Sequence, residues 1–263
     1  MSGNLSLERG LAALDVLSNA DEALGVREIA RRLGLSAPAV QRIVNTLAHK
    51  NYVEQEPDTR RYRLGRSVLA LARHILHKDR LVGRAEQELQ ALAAENCFNA
   101  FLGVRRGDRG IYLLTVQSSG PVVIRSAPGE SFRLHSTALG KVLLSGLGRE
   151  AIAGILGRGP FERLTPATIT DPGALAAEVG AAEERGHAIS VDENFVGLVA
   201  VGAPLRDASG AVVAGISVAY PRSVGPEVKI EEAAETVMAA AGRISASLGY
   251  RQEAGGALVE VPS

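Results

Sequence analysis

Two short amphipathic helices that meet across one Gly34-Leu35 step constrain this chain more than any other feature. Val26, Ile29, Ala30 and Leu33 recur at helical spacing and mark the first. Gly34 stands where a helix end turns left-handed, a conformation that only glycine adopts without steric cost. Ser36 is the expected N-cap of the second helix, and Pro38 lies in its first turn, where a missing N–H has no intrahelical partner to lose. Val40, Ile43, Val44 and Leu47 then supply a buried stripe. So short a connection leaves only a sharp corner, the helix–turn–helix arrangement. Upstream, Leu7, Leu11, Leu14 and Leu17 predict a helix ending near Asn19 that buries that stripe. Downstream, Tyr52 to Gln55, a turn at Glu56 to Thr59, and Arg60 to Leu64 predict a two-stranded hairpin, a wing, broken by Gly65.

Ser67 to Lys78 carries Val68, Ala72 and Ile75 at helical spacing, and Leu69, Leu71 and Leu76 widen its apolar surface. A helix of that kind needs partners: the next helix, about Leu81 to Asn96, on one side and a second subunit on the other. Beyond it, β-like runs are expected at Phe98 to Val104, Ile111 to Gln117, Val122 to Arg125, Ala188 to Val191, Val196 to Leu205 and Ala211 to Ala219. Helices near Thr137 to Leu147, Glu150 to Leu156, Pro172 to Arg185 and Pro226 to Leu248 interleave with them, which describes an α+β domain with a central, largely antiparallel sheet. Asp207-Ala208-Ser209-Gly210 reads as a hairpin turn. The last helix would bury Ile230, Ala234, Val237, Ala241, Ile244 and Leu248. The expected organisation is a winged domain over residues 1–65, a linker helix over 66–80, an α+β domain over 81–251 and a fraying tail over 252–263.

Composition narrows the function. Lys+Arg and Asp+Glu balance at 29 each in 263 residues, with 46% hydrophobic residues, as in an ordinary globular protein. Uncharged stretches such as Ile111 to Ile124 and Ala208 to Pro221 fall short of the ~18 apolar residues of a membrane helix. The N-terminus has no basic segment leading into an apolar core, so a cytoplasmic address is expected, without a membrane partner. The one cysteine, Cys97, is expected to be a buried small apolar residue in a reducing compartment. Enzyme signatures are missing: no G-x-S-x-G elbow occurs, Gly140-Lys141 lacks the rest of a phosphate loop, and Gly157-Arg158-Gly159 runs into Pro160. His74 and His77 have no neighbouring ligands to make a metal site, so neither metal nor cofactor is expected.

From Ser36 to Arg66 six basic residues, Arg42, Lys50, Arg60, Arg61, Arg63 and Arg66, face only Glu54, Glu56 and Asp58. Opposite the apolar stripe of the second corner helix stand Pro38, Gln41, Arg42, Asn45 and His49. Arginine matches guanine, and asparagine or glutamine matches adenine, in the major groove. Gln41, Arg42 and Asn45 are therefore expected to point outward together, the alternative being a solvated helix face. Ser36 would cap the helix and, with nearby N–H groups, hold a phosphate at its positive end; Arg60 and Arg61 would reach phosphate or the minor groove. Arg27, Arg31 and Arg32 either contact backbone phosphates or keep their surface soluble.

The runs Arg27 to Ser36, Val40 to Leu47, Tyr52-Val53 and Arg61 to Gly65 resemble those of the isocitrate lyase regulator (IclR) family of bacterial transcription factors. His135 to Leu144 is similar to that family's signature helix start, and Gly186-His187-Ala188-Ile189, Asp192-Glu193 and Gly197 to Leu205 to its second signature. The resemblance spans about residues 5–250 and implies a winged helix-turn-helix domain, a linker helix and a GAF-like effector-binding domain, assembled as dimers or tetramers on palindromic operators in double-stranded DNA. It adds Ala37 to the DNA-binding candidates and implies a regulator of a catabolic operon, in the sense of a repressor, that senses a small organic acid, aromatic ones included.

Carried over residue by residue, the pocket candidates are Thr137, Ala138 and Leu139 at the helix start, Ser190, Leu198 and Ala200 around the second signature, and Ser217 on the following strand. Some members have an acid where Ser190 stands, a cysteine at Ala200 and a second serine at Ala219, so this wall should be less polar. His135, Ser136 and Thr137 precede a helix, where hydroxyls and free N–H groups could receive a carboxylate, or where Ser136 or Thr137 only caps. Arg109, Arg125 and Arg133 flank the expected strands and are expected at the surface, the alternative being that they pair with a ligand carboxylate; Asp192 and Glu193 are expected to order their loop rather than bind an acid. The competing readings are an enzyme or carrier whose N-terminal helices make protein contacts, and an architectural DNA-binding protein with an empty C-terminal domain.

Overall fold

The computed structural model describes residues 4–20, 22–71, 80–120, 122–225 and 227–251. The chain divides into two compact units, residues 1–78 and 79–263, within the stretch expected to be the linker. Most of that linker helix, with His74 and His77, lies outside the described residues, as does the tail from Gln252; residues 67–71 are helical. Among the described residues no helix is long and apolar enough to cross a membrane.

In the first unit α1 (Leu5–Ser18), α2 (Val26–Leu33) and α3 (Ala37–His49) precede a hairpin of β1 (Val53–Gln55) and β2 (Tyr62–Leu64). Gly34 ends α2 with φ +63°, as the corner requires. Ile29, Val40, Val44, Val53 and Tyr62 form the shared core. Leu24 adds a β-bridge to Tyr62, so the wing is anchored on the segment before α2. Gly65 follows because a Cβ there would sit 2.3 Å from the Asn51 carbonyl oxygen. One expectation needs correcting: α1 buries Ala13 and Leu17, whereas Leu7 and Leu11 are 61% and 55% exposed. The core reaches only the C-terminal half of α1, through Leu14, Val16 and Leu17, and its first turns project past it.

The second unit runs α4 (Arg80–Asn96), β3 (Asn99–Arg106), β4 (Arg109–Val116), β5 (Ser131–Arg133), α5 (Ala138–Leu144), α6 (Arg149–Leu156), α7 (Pro172–Arg185), β6 (Ala188–Val191), β7 (Leu198–Arg206), β8 (Val212–Pro221) and α8 (Ile230–Ser247). The strands form one sheet in the order β5-β4-β3-β8-β7-β6, antiparallel at every pairing. Leu102, Val201, Ile216 and Val218 pack on α4 and α8 through Leu89, Val237 and Ile244; Phe101 and Ala219 share the other core with Leu139, Val142 and Leu175 of α5 and α7. On α8, Ala234, Val237, Ala241 and Ile244 are buried, while Ile230 and Leu248 are half-buried. α5 lies close to the sheet because glycines face it: a Cβ at Gly103 or Gly215 would come within 2.9 Å of Leu139 or Val142.

Val122 to Arg125, expected as a strand, is not one. The buried Asn99 holds it instead, donating to the Val122 carbonyl at 3.1 Å and accepting from the Ile124 N–H at 2.9 Å, bonds a strand partner would otherwise make. Cys97 is half-buried at φ +55° with its Sγ 3.8 Å from the Ser119 hydroxyl, not a fully buried apolar residue.

Candidate functional site

Two groups of candidate residues exist, one in each unit. On α3, Pro38, Arg42 and Asn45 are exposed, while Ala37 and Gln41 are half-buried. Gln41 therefore departs from the expectation that it points outward with Arg42 and Asn45. Its amide donates to Asn45 Oδ1 at 2.8 Å and to the Tyr62 hydroxyl at 2.9 Å, which uses both of its hydrogens. Gln41 thus ties α3 to the wing strand and fixes the Asn45 side chain, whose own NH2 stays outward. Among the described residues Arg42 has no ion-pair partner.

Ser36 occupies the N-cap position of α3, but its side chain makes no capping bond, contrary to the capping expected of it. The Ser36 carbonyl accepts from the Ala39 and Val40 N–H groups, while its hydroxyl bonds no described residue. Arg27 is exposed and has no ion pair among the described residues, whereas Arg31 and Arg32 both pair with Glu28, at 2.7 and 2.8 Å. Hydrogen bonds from those two guanidiniums hold the Glu28 carboxyl down to about 2. At the wing Arg60 is exposed at φ +55°, and Arg61, also exposed, donates to the Ala23 carbonyl at 3.3 Å.

In the second unit a cavity of about 80 Å³ lies between the sheet and α5. Seven of the carried-over residues line it: Thr137, Ala138, Leu139, Ser190, Leu198, Ala200 and Ser217. Strand register explains the convergence. Ser190 faces Ala200, Ala200 faces Ala219, and Ser217 faces Phe101, so their side chains share one face of the sheet. Ala219, expected on the less polar wall, also lines it; Phe101, Tyr112, Ile124, Ser126, Asn194 and Phe195 complete the lining and were not singled out from the sequence as pocket residues. Phe101 could have been found by period-two reading of β3; Asn194 and Phe195 lie on a loop without period. Burial pushes the Tyr112 phenol up to about 12, so it stays protonated.

His135 and Ser136 do not reach this cavity. The buried Ser136 hydroxyl donates to Asn194 Oδ1 at 3.0 Å, and its carbonyl accepts from Ser190 Oγ at 3.0 Å. His135 turns the other way, its Nε2 3.0 Å from the Glu162 carbonyl oxygen. The Thr137 hydroxyl is also taken: it accepts from the Gly140 N–H at 2.9 Å and donates to the Arg133 carbonyl at 2.8 Å, a helix cap. The Asn194 NH2 and the Ser217 hydroxyl bond no described residue, and the paired Tyr112 and Ser126 hydroxyls also belong to the lining. No charged side chain lines it.

The loop over the cavity is held from below. Lys141, 1% exposed, pairs with Glu193 at 2.5 Å and donates to the Ile189 carbonyl at 2.8 Å. Burial pushes the Glu193 carboxyl up against the opposing pull of that ammonium. Thr165 and Thr168 bond the Asp192 and Glu193 carbonyls, and the Asp192 carboxylate accepts from the Gly197 N–H. Asp192 and Glu193 thus order their loop, as expected. Arg125 and Arg109 are exposed, and Arg133 pairs with Glu162.

A helix–turn–helix unit with an outward, base-compatible helix face, in one chain with a sheet domain that holds a largely apolar cavity, defines a DNA-binding regulator with an effector domain. The chain belongs to the IclR family: residues 6–57 match the IclR helix-turn-helix domain and residues 73–246 match the family described as bacterial transcriptional regulator IclR C-terminal. It is a transcription regulator and not an enzyme. Among curated relatives it is similar to the HTH-type transcriptional regulator BhcR of Paracoccus denitrificans, 28% identical over 253 residues, covering 96% of this chain and 90% of BhcR. Among solved structures, an IclR regulator from Alicyclobacillus acidocaldarius shares the fold at TM-score 0.83 with 27% identity, covering 93% of this chain and 99% of that one. An IclR homolog from Microbacterium hydrocarbonoxydans, complexed with 4-hydroxybenzoate, has TM-score 0.78 and 22% identity over 92% of this chain and 98% of its own.

Proposed function

We propose that this regulator represses a catabolic operon from the cytoplasm, and that a small aromatic acid entering the cavity of the second unit releases it from DNA. The observation that carries the ligand class is the cavity lining: Phe101, Tyr112, Ile124, Leu198 and Ala200 offer an apolar slot for a ring. The Asn194 NH2 and the Ser217 hydroxyl offer neutral donors to a carboxylate. The solved homolog that holds 4-hydroxybenzoate supports this reading, because the same fold accommodates a ligand of that size. A cavity of about 80 Å³ is well below the ~300 Å³ or more of ordinary ligand sites, so entry requires the loop bearing Phe195, which is 60% exposed, to move.

On the DNA side, α3 lies in the major groove with Arg42 and Asn45 at base edges, Gln41 positioning Asn45, and Ala37 and Pro38 against the groove wall. Ser36, Arg27, Arg60 and Arg61 contact phosphates or the minor groove. Two copies on a palindromic operator, as a dimer or half a tetramer, place paired α3 helices about 34–36 Å apart. Exposed Leu5, Leu7, Leu11, Leu69 and Leu71 supply apolar surface for that association. The ligand acts by binding one subunit arrangement more tightly than the other.

The test is a thermal-shift and DNA-release titration with hydroxybenzoates on the parent and on Ala200→Trp. Ligand at about 100 times its dissociation constant adds ~2.7 kcal/mol of stability in the parent and frees the DNA. Ala200→Trp binds DNA as the parent does and responds to neither measure. A response that survives in Ala200→Trp would place the ligand elsewhere, and ligand binding that tightens DNA binding would make the protein an activator or co-repressed regulator.

A further inference from the structure

The second unit has another concavity that the regulator reading does not use, about 390 Å³, lined by Arg109, Arg133, His135, Arg158, Phe161 and Glu162 among others. We propose that this cleft is a second small-molecule site, for a compact oxyanion: a phosphate or a carboxylate. It stands apart from the apolar cavity in both lining and charge.

Its cationic character comes from the fold. Arg109 and Arg133 are directly opposite in the β4–β5 pairing, so two guanidiniums project from the same face side by side. Like charges in that position repel unless something neutralises them. Glu162 bonds only one of them, Arg133, in a fork at 2.9 and 3.0 Å, and acts on Arg109 through space alone. Arg109 and Arg158, both exposed, have no ion pair among the described residues. Asp108, the other acid in the lining, has no ion pair among the described residues either, so the cleft carries two unpaired guanidiniums against one unpaired carboxylate. The neighbouring arginines also hold the Glu162 carboxyl below its usual range and, after burial, help to keep His135 neutral.

The floor is fixed in advance. His135 is 7% exposed, packs against Phe161 in a tilted ring pair with centroids 5.3 Å apart, and has its Nε2 occupied by the Glu162 carbonyl, while its Nδ1 bonds no described residue. Leu134 behind it is wedged against α5, where a Cβ on Gly140 would lie 2.4 Å from the Leu134 backbone. An oxyanion reaching both Arg109 and Arg158 would gain charge-assisted hydrogen bonds from two guanidiniums without rearranging this wall.

Isothermal titration of the full chain with sodium phosphate, and in a parallel arm with sodium succinate, each against sodium chloride at equal ionic strength, tests the site. The expected result is saturable binding of one anion per chain that Arg109→Gln/Arg158→Gln weakens by about tenfold or more. The melting temperature of the variant without anion should match the parent; if the double variant does not fold, Arg158→Gln alone, on an exposed loop, must weaken binding in the same sense. Tighter phosphate binding marks a phosphate ester as the source, and tighter succinate binding marks a carboxylic acid. Heats no different from chloride, or unchanged affinity in the folded variants, would overturn the proposal.

Discussion

The outward face of α3 and the cavity beneath α5 present opposite solutions to recognition. On α3 the free groups, Arg42 and the Asn45 NH2, are solvated until a partner arrives, so their energetics are those of exposed charge, weak alone and sensitive to salt. Under α5 the polar groups are already committed: Thr137 caps, Ser136 and Ser190 bond within the wall, and Lys141 is locked to Glu193. Among the described residues the Asn194 NH2, the Ser217 hydroxyl and one proton of the Tyr112–Ser126 hydroxyl pair are left over. An interface for a polyanion can leave many donors loose because the partner supplies every acceptor. An enclosed site must satisfy its donors internally and expose only the few that match the ligand.

The contrast can be broken experimentally, and the largest effect is expected inside the second unit. Lys141→Met leaves the Glu193 carboxylate buried without its ammonium and should cost about 3–5 kcal/mol in urea unfolding of that unit. Arg31→Ala, which breaks an exposed pair with Glu28, should leave the melting temperature of the first unit unchanged. Equal effects from the two would erase the distinction. Next come the two N-caps. Thr137→Ala removes a real capping bond and should cost about 1 kcal/mol, whereas Ser36→Ala removes none and should weaken DNA binding with little loss of stability. A Ser36→Ala variant that loses as much stability as Thr137→Ala would show that its hydroxyl is structural.

The smallest effect is a pH slope. Burial holds His135 below its ordinary value of 6.5, so in the acid range the unfolded chain binds a proton there that the folded chain does not. Stability of the second unit should therefore fall as pH drops through about 6.5, levelling off once the folded-state histidine also protonates. His135→Asn should flatten that part of the profile in thermal melts between about pH 5 and 7, and a profile identical to the parent's would assign the slope to other groups.

Much of this was legible where the chain carries its own punctuation. Asp171-Pro172 and Gly186 bracket α7 at the predicted residues, Gly34 sets the corner, and β6 follows from Ala188 to Val191 as read. Short elements held by tertiary contacts were not legible. β5 has three residues and no pattern, and residues 122–125 look like a strand but take their hydrogen bonds from the Asn99 side chain. The exposure of Leu7 and Leu11 depends on where the core ends, which periodicity does not encode. The cavity candidates on strands were found through family signatures that happen to fall in register. Asn194 and Phe195 were missed because a loop's direction is set by partners as remote as Lys141 and Thr165.

The most direct test of the central claim is a salt titration of binding to the DNA upstream of its own gene, by the parent and by Arg42→Ala. The account predicts that affinity falls steeply and linearly in log–log form with salt, and that Arg42→Ala loses about 1–3 kcal/mol on that DNA at an unchanged melting temperature. Binding that ignores salt, or an Arg42→Ala variant that binds as tightly as the parent, would contradict it.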